Sequence, residues 1–114
     1  APYLTQNIDN LESKAGFSED RVNQAHGANR GAHCAKCDAE ASRDLLSEHI
    51  TKGEVMRCTK QVSGQDCGGP IKPKITFFGE QLPASFLNVL MEIGEEGIDL
   101  LIVIGTALAV APFN

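Results

Sequence analysis

Four cysteines place the strongest constraint on how this chain can fold. Cys34 and Cys37 form a C-x2-C pair, and after a gap of 20 residues Cys58 and Cys67 form a C-x8-C pair. Zinc prefers four thiolates at tetrahedral positions, and a C-x2-C turn supplies two of them. Because four sulfurs would fill the shell, we expect a structural zinc ion; catalytic zinc keeps one position open for water.

Two other arrangements of the cysteines remain open, namely two disulfides or free thiols. Disulfides are typical of secreted proteins, and nothing in the sequence indicates secretion, so we expect an intracellular protein. A bridge between Cys34 and Cys37 would close too short a loop to add much stability. His33 stands beside Cys34 and could replace a cysteine, but we expect it to lie outside the shell. His49 carries no functional signal.

The charge and hydropathy patterns exclude some broad function classes. The formal net charge is −5, which argues against broad binding to a phosphate backbone, since that requires clustered Lys and Arg. No apolar run approaches the ~18–20 residues that span a bilayer. Acidic residues concentrate at 9–20 and 92–99, which fits a solvated surface or a rim that attracts basic peptides.

The C-terminal third predicts an α/β fold. Pro83 suits the first turn of a helix, and Gly94 and Gly97 are expected to break it. The apolar residues at helical spacing between them are Phe86, Leu87, Leu90 and Met91. Residues 99–104 then form an unbroken aliphatic run, which predicts a strand buried on both faces of a parallel sheet. A helix feeding such a strand is half of a βαβ unit.

Shorter signals predict the remaining elements. Residues 3–5 should be extended, and a helix is expected around Leu11. Between the cysteine pairs, Ser42 can cap a second helix that Gly53 ends. The predicted inward face of this helix consists of Leu45, Leu46, His49 and Ile50. Residues 70–82 are typical of a short β-rich link bounded by prolines and a glycine.

Polar residues follow both predicted parallel strands. In open α/β sheets, ligands bind at the carboxyl ends of the strands. Gln6, Asn7 and Asp9 follow the predicted strand at 3–5, and Gly105 and Thr106 follow the predicted strand at 99–104. Amide side chains suit ribose hydroxyls, and a carboxylate can accept a hydrogen bond from a carboxamide. A turn with a helix cap is the alternative for the first group, and a plain turn for Gly105.

His26 is a candidate base because Ala25 and Gly27 leave room for a ligand beside its imidazole. Imidazole is the side chain best suited to take a proton near neutral pH. On local sequence alone, a structural or exposed histidine is the commoner case.

Six motifs in one order make the pattern specific. They are TQNID at 5–9, AHG at 25–27, C-x2-C at 34–37, the second cysteine pair, FFGEQLP at 77–83 and DLLIVIGTALAVAPF at 99–113. Their order and spacing closely resemble the catalytic core of sirtuins, a family of NAD-dependent protein-lysine deacylases. The resemblance implies a Rossmann-like parallel-sheet NAD domain over 1–33 and 70–114, with a small four-cysteine zinc module inserted at 34–69.

The resemblance also implies a role for each site residue. His26 resembles the catalytic base, and Asn7 acts with it. The residues resembling the cofactor site are Gln6, Asn7, Ile8, Asp9, Gly105, Thr106 and Ala107. Those resembling the substrate-binding strand and acyl-lysine tunnel are Thr76, Phe77, Phe78, Gly79 and Glu80. The residues resembling the zinc ligands are Cys34, Cys37, Cys58 and Cys67.

The implied reaction is NAD-dependent removal of acyl groups from protein lysines, giving nicotinamide and an O-acyl-ADP-ribose. The expected cofactors are NAD and structural zinc, and the expected partner is an acylated-lysine protein or peptide, with no direct nucleic-acid binding and no membrane. Two alternatives remain: a mono-ADP-ribosyltransferase on the same fold, and a zinc-ribbon binding module without catalysis.

Three departures from the sirtuin pattern affect these expectations. Ala107 replaces the serine usual in the GTS turn, so we expect NAD binding weaker by roughly 0.5–1.5 kcal/mol. Thr76 stands where valine is common, and should be tolerated. The glycine-rich GAG-x-S loop would lie upstream of residue 1, and the segment closing the adenine pocket downstream of residue 114. We therefore expect the 114-residue chain alone to be inactive.

Overall fold

A computed structural model describes residues 2–111 and 113. Ala1 and Asn114, at the two ends just considered, and Pro112 of the last motif lie outside the described residues. Within the described part, the strands form a parallel pair, a three-stranded antiparallel sheet and a small hairpin. The chain is therefore mixed α/β, as the sequence predicts.

The parallel pair consists of β1 (Tyr3–Thr5) and β2 (Val22–Gln24). Between them the chain forms the short helix α1 (Leu11–Lys14) and a 3-10 turn (Glu19–Arg21). The backbone N–H of Ala25 donates to the carbonyl of Thr5 at 3.0 Å, which holds the ends of the two strands together. This pairing brings the residues after both strands to one edge.

The antiparallel sheet has three strands, with β3 (Gly27–Cys34) in the centre. Its neighbours are β4 (Glu40–Ala41) and β7 (Ile71–Ile75). The register pairs Cys34 with Ile71 at one end of the β3–β7 ribbon and Gly27 with Ile75 at the other, with an irregularity between. The ribbon thus runs from the cysteines to the neighbourhood of His26.

Helix α2 (Arg43–Lys52) covers one side of the cysteine region, and its ends match the prediction. The Ser42 hydroxyl accepts from the Leu45 N–H at 3.3 Å, and Gly53 ends the helix at φ 72°. The predicted apolar face is only partly correct. Leu46 is buried, whereas Leu45 and Ile50 are exposed, because the small module covers only a narrow stripe of the helix.

A short hairpin joins the second pair of cysteines. Its strands are β5 (Gln61–Val62) and β6 (Gln65–Asp66), connected by Ser63 and Gly64. Both connecting residues have positive φ, 53° and 79°, as a two-residue hairpin turn requires. The eight residues between Cys58 and Cys67 are thereby folded back, which lets both cysteines reach the same cluster.

Helix α3 (Ala84–Glu96) packs against β2, and its Phe86 side chain is fully buried. The prediction that Gly94 breaks this helix is wrong: the helix continues through it and ends at Gly97, where φ is 75°. An isolated glycine lowers helix stability by only about 1 kcal/mol, which neighbouring residues can offset. Leu87 and Met91, predicted to face inward, are exposed.

The predicted buried strand at 99–104 is the largest departure from expectation. Residues 100–104 are all exposed and have no strand partner within the described part of the chain. A strand is buried on both faces only when neighbouring strands and covering helices are present. Within the described residues, the one pair of parallel strands is β1 with β2, and residues 99–104 do not pair with either.

Among residues 2–111 and 113, no helix is both long and apolar enough to span a membrane.

Candidate functional site: a four-cysteine cluster and a histidine between two loops

The four cysteines come together in one cluster, as their spacing predicts. All four Sγ atoms lie within 4.8 Å of one another, and Cys34, Cys58 and Cys67 are buried. Cys34 Sγ lies 3.7 Å from Cys67 Sγ, and Cys37 Sγ lies 3.7 Å from Cys58 Sγ. A disulfide has sulfurs about 2.05 Å apart, so the two-disulfide alternative is wrong for these pairs.

The dimensions of the cluster fit a tetrahedral zinc ion. With a Zn–S distance of about 2.3 Å, a regular tetrahedron has S–S edges of about 3.8 Å. The observed 3.7 Å separations match that edge closely. Since all four vertices come from cysteine, the ion would have no open position, and its role would be structural.

The pKa values of the clustered cysteines are shifted in opposite directions. Burial raises the pKa of Cys34, but the backbone N–H groups of Cys37 and Lys36 and the nearby thiols lower it to about 6. At Cys58 the backbone N–H of Lys60 lowers the pKa, while burial and the neighbouring thiols together raise it to about 11. One thiolate therefore hinders ionisation of its neighbours, a repulsion that a divalent cation at the centre would relieve.

Gly69 is the residue that lets the chain pass the cluster. A Cβ built on Gly69 would lie 2.7 Å from Cys34 Sγ, 2.7 Å from Lys36 Cβ and 3.5 Å from Cys67 Sγ. The first two distances are shorter than van der Waals contact. Glycine is therefore needed here for close packing against Cys34 and Lys36.

His26 lies between two loops to which the sirtuin resemblance gives different roles, cofactor binding and substrate binding. Its Nδ1 is 3.0 Å from the carbonyl oxygen of Gln6, and its own carbonyl accepts from the Thr76 N–H at 2.9 Å. A carbonyl oxygen can only accept, so Nδ1 carries the proton of the first hydrogen bond. The free lone pair is then on Nε2, which is the atom able to act as a base.

The loop after β1 and the loop after residues 99–104 meet at Gln6. The Thr106 hydroxyl donates to the Gln6 side-chain oxygen at 2.8 Å, across 100 residues of sequence. Thr106 Oγ1 also accepts from the Leu108 N–H, and Gly105 turns the chain at φ 76°. Gln6, Thr106 and His26 are thus joined by hydrogen bonds at one edge of the structure.

The other residues predicted for the cofactor site are exposed at the same edge or near it. Asn7, Ile8, Asp9 and Ala107 all present side chains to solvent. The Asp9 carboxylate accepts from the Leu11 N–H at 3.1 Å, so it also stabilises the turn before α1, whose N-cap is Asn10. The two roles are compatible, because a carboxylate has further acceptor positions.

The predicted substrate segment, Thr76 to Glu80, leaves β7 and forms a tight turn. The Glu80 N–H donates to the Phe77 carbonyl at 3.0 Å, and Gly79 takes φ 87°. Phe78 at the tip is fully exposed, and Phe77 is half exposed. Thr76 is joined to the backbone of His26, so the turn starts one residue from that contact.

Within the described residues, neither of the two remaining histidines forms a hydrogen bond with Gln6, Thr106 or His26. His33 hydrogen-bonds through Nδ1 to the Asp38 carboxylate at 2.5 Å, and four sulfurs fill the cluster without it. His49 is on α2, where Nδ1 contacts the Leu45 carbonyl of its own helix at 2.9 Å. Both placements agree with the roles expected from the sequence.

Sequence reasoning missed two participants. The backbone carbonyl of Gln6, which selects the His26 tautomer, has no signature, because every residue has a carbonyl. The sequence gives Lys72 no signal beyond its charge, whereas its Nζ contacts both Ile75 O and Glu80 Oε2. The one available signal was the charge complementarity of Lys72 and Glu80 on either side of an expected turn.

Comparison with known proteins gives a consistent result. A family model described as Sir2 family matches residues 2–112. The chain is 45% identical over 110 residues to an NAD-dependent deacetylase, sir2A, of Dictyostelium discoideum, covering 96% of this chain and 21% of that protein. It is 42% identical over 115 residues to NAD-dependent protein deacetylase 2 of Caldanaerobacter subterraneus subsp. tengcongensis, covering 100% and 42%.

Solved structures of similar shape have substrates bound. A complex described as Sir2 with p53 peptide and NAD+ superposes with a TM-score of 0.80 at 30% identity, covering 99% of this chain and 43% of that one. A structure of Sir2 bound to acetylated peptide gives 0.80 at 29% identity, covering 99% and 44%. The chain spans less than half the length of each of these relatives and structures.

Proposed function

The chain belongs to the Sir2 family, and on that premise we propose that its protein removes acyl groups from protein lysines in an NAD-dependent reaction. The products are nicotinamide and an O-acyl-ADP-ribose. The observation that carries the proposal is the position of His26, joined to Gln6 on one side and Thr76 on the other. A base between a cofactor loop and a substrate loop is what a reaction between the two molecules requires.

His26 acts as the base through Nε2. The Gln6 carbonyl holds the Nδ1 proton, which orients the ring and leaves the Nε2 lone pair free. General bases of this kind contribute roughly 10²–10⁴-fold to rate. Asn7 assists from the adjoining loop, where its side chain is exposed beside Gln6.

The cofactor site lies at the edge where Gln6 and Thr106 meet. NAD, when bound, supplies the ribose carbon from which nicotinamide departs. Gln6, Asn7, Ile8 and Asp9 hold the nicotinamide half, and the turn formed by Gly105, Thr106 and Ala107 holds the adenine-side ribose. Support comes from the Thr106–Gln6 hydrogen bond, which joins these two loops, and from the polar character of their side chains.

The acyl-lysine substrate binds along Thr76 to Glu80. An extended peptide pairs with the backbone groups of this segment that the turn leaves free, and such backbone pairing makes selectivity for side chains low. Residues 1–33 and 70–114 belong to the NAD domain in this proposal. Residues 34–69 form a module that Cys34, Cys37, Cys58 and Cys67 organise around structural zinc. Four free thiols also suit an intracellular, reducing location.

The test uses the full-length protein with NAD and an acetyl-lysine peptide. Wild type should release nicotinamide only when the acylated peptide is present, and mass spectrometry should find the acyl group on ADP-ribose. His26→Ala should lower kcat by roughly 10²–10⁴-fold. His49→Ala, which removes a partly buried imidazole on α2 whose Nδ1 contacts only its own helix, should leave kcat unchanged.

Two outcomes would contradict the proposal. Nicotinamide release with ADP-ribose fixed on protein would identify a mono-ADP-ribosyltransferase. Absence of any NAD turnover in a folded, zinc-loaded protein would leave a zinc-ribbon binding module. Equal losses in His26→Ala and His49→Ala would remove the catalytic assignment of His26 while leaving the rest.

A further inference from the structure

The turn from Phe77 to Glu80 is closed twice by the same two residues. The Glu80 N–H donates to the Phe77 carbonyl at 3.0 Å, and the Phe77 N–H donates back to Glu80 Oε2 at 2.8 Å. Gly79, at φ 87°, sits where a turn of this kind favours glycine. The conformation of the turn therefore depends on where the Glu80 carboxylate is held.

Lys72 is the side chain that holds that carboxylate. Its Nζ donates to Glu80 Oε2 at 3.0 Å and to the carbonyl of Ile75 at 2.8 Å, at the last residue of β7. Nζ also lies 4.5 Å from the centre of the Phe77 ring, in the position of a cation–π contact. One ammonium group thus contacts the start, the middle and the end of the 75–80 segment.

The surroundings make this contact stronger than an ordinary surface ion pair. The Lys72 side chain is only 13% exposed, whereas that of Glu80 is 42% exposed. The backbone N–H of Phe77 and then the Lys72 ammonium lower the pKa of the Glu80 carboxyl, so it is fully ionised at neutral pH. Lys72 itself lies on β7 opposite His33 of β3, so the ammonium is anchored in the antiparallel sheet.

We propose that Lys72 is a positioning residue that sets the conformation of the Phe77–Glu80 turn for binding of the acyl-lysine peptide. The inference rests on the proposed function, since it assigns the turn to substrate binding. Lys72 makes its contacts on the substrate side of His26 and none with Gln6 or Thr106. Its loss should therefore weaken peptide binding and spare NAD binding.

The kinetic test compares Lys72→Met with Lys74→Met in the full-length protein. Methionine keeps much of the apolar stem and removes the ammonium. Lys74 is a matched control because it lies on the same strand but forms its ion pair with Glu40 of β4. For Lys72→Met we expect KM for the acetyl-lysine peptide to rise on the order of 10-fold, the effect of losing a charged hydrogen bond. KM for NAD should not change.

Two further variants separate positioning from general destabilisation. Lys72→Arg keeps a cation and hydrogen-bond donors, so its KM for the peptide should be much closer to that of wild type than the KM of Lys72→Met. Glu80→Gln should also raise KM for the peptide. In the double variant Lys72→Met/Glu80→Gln, the total rise in this KM should be smaller than the product of the two single rises, because both substitutions remove the same interaction. If Lys72 were only structural, Lys72→Met would lower thermal stability but would not raise KM for the peptide while leaving KM for NAD unchanged.

Hydrogen exchange of the amides of Phe77 and Glu80 tests the same inference without any activity. These amides should exchange faster in Lys72→Met than in wild type, and at the wild-type rate in Lys74→Met. If wild type shows no deacylation but the exchange result holds, the proposed function fails and the positioning of the turn stands. Unchanged exchange, or equal rises in KM for peptide and NAD, would overturn the role of Lys72.

Discussion

Replacing Gly69 by alanine tests whether the cysteine cluster is a closed metal shell. The added Cβ would lie 2.7 Å from both Cys34 Sγ and Lys36 Cβ, where ordinary contacts are 3.4–4 Å. One of these groups must move by more than half an ångström, and a sulfur bound to zinc has little freedom to do so. Overpacking of this kind costs roughly 1–3 kcal/mol.

If that cost falls on the zinc-bound state, zinc affinity should fall by roughly 5- to 150-fold. The assay is competition with a coloured chelator on the full-length protein, with thermal unfolding measured on the same samples. Gly31→Ala is the matched control, because its Cβ would meet only the flexible side chain of Lys74, at 3.0 Å. It should bind zinc as wild type does.

Wild-type zinc affinity and stability in Gly69→Ala would refute the reasoning, since the sulfur would then be free to move. An equal loss in Gly31→Ala would also refute it, because the effect would then follow from any methyl group added to this part of the chain.

Three other perturbations have outcomes that follow from the structure. Ser42→Ala removes the N-cap of α2 and should destabilise the protein by about 1 kcal/mol, seen as a lower Tm. A strong chelator should unfold residues 34–69, seen as fast amide exchange there, because metal binding and folding are coupled in such modules. The pKa of Glu80 is lowered, first by the N–H of Phe77 and then by Lys72, so its stabilising effect is full above the ordinary carboxyl pKa and is lost as pH falls through the lowered one. NMR titration should find this midpoint below the usual range in wild type and higher in Lys72→Met; identical midpoints would contradict the ion pair.

Local signals predicted local structure well. The caps at Ser42 and Gly53 depend on side-chain and backbone preferences within a few residues, so the sequence predicts both helix ends. The cysteine cluster was predictable because the chemistry of four thiols leaves few alternatives. The prediction that Gly94 breaks α3 was wrong, because one glycine weakens a helix without ending it.

Predictions that depend on distant packing were less successful. Periodicity places Leu45 and Ile50 on one face of α2, but only the tertiary structure decides how much of that face is covered. The aliphatic run at 99–104 has the composition of a buried strand, yet the described residues offer it no partner. The contact of Lys72 with Glu80 required knowing how the chain turns after β7.

The β3–β7 ribbon connects the four-cysteine cluster to His26. One end of the ribbon carries Cys34, and the other end is followed by Thr76 and preceded by His26. Eight residues of strand cover roughly 20–25 Å, so the two centres are too far apart for any direct chemical influence. Under the proposed function, a structural ion that takes no part in bond-making would still affect turnover, because any loss of order at the cysteine end of the ribbon would reach His26 through the strand backbone.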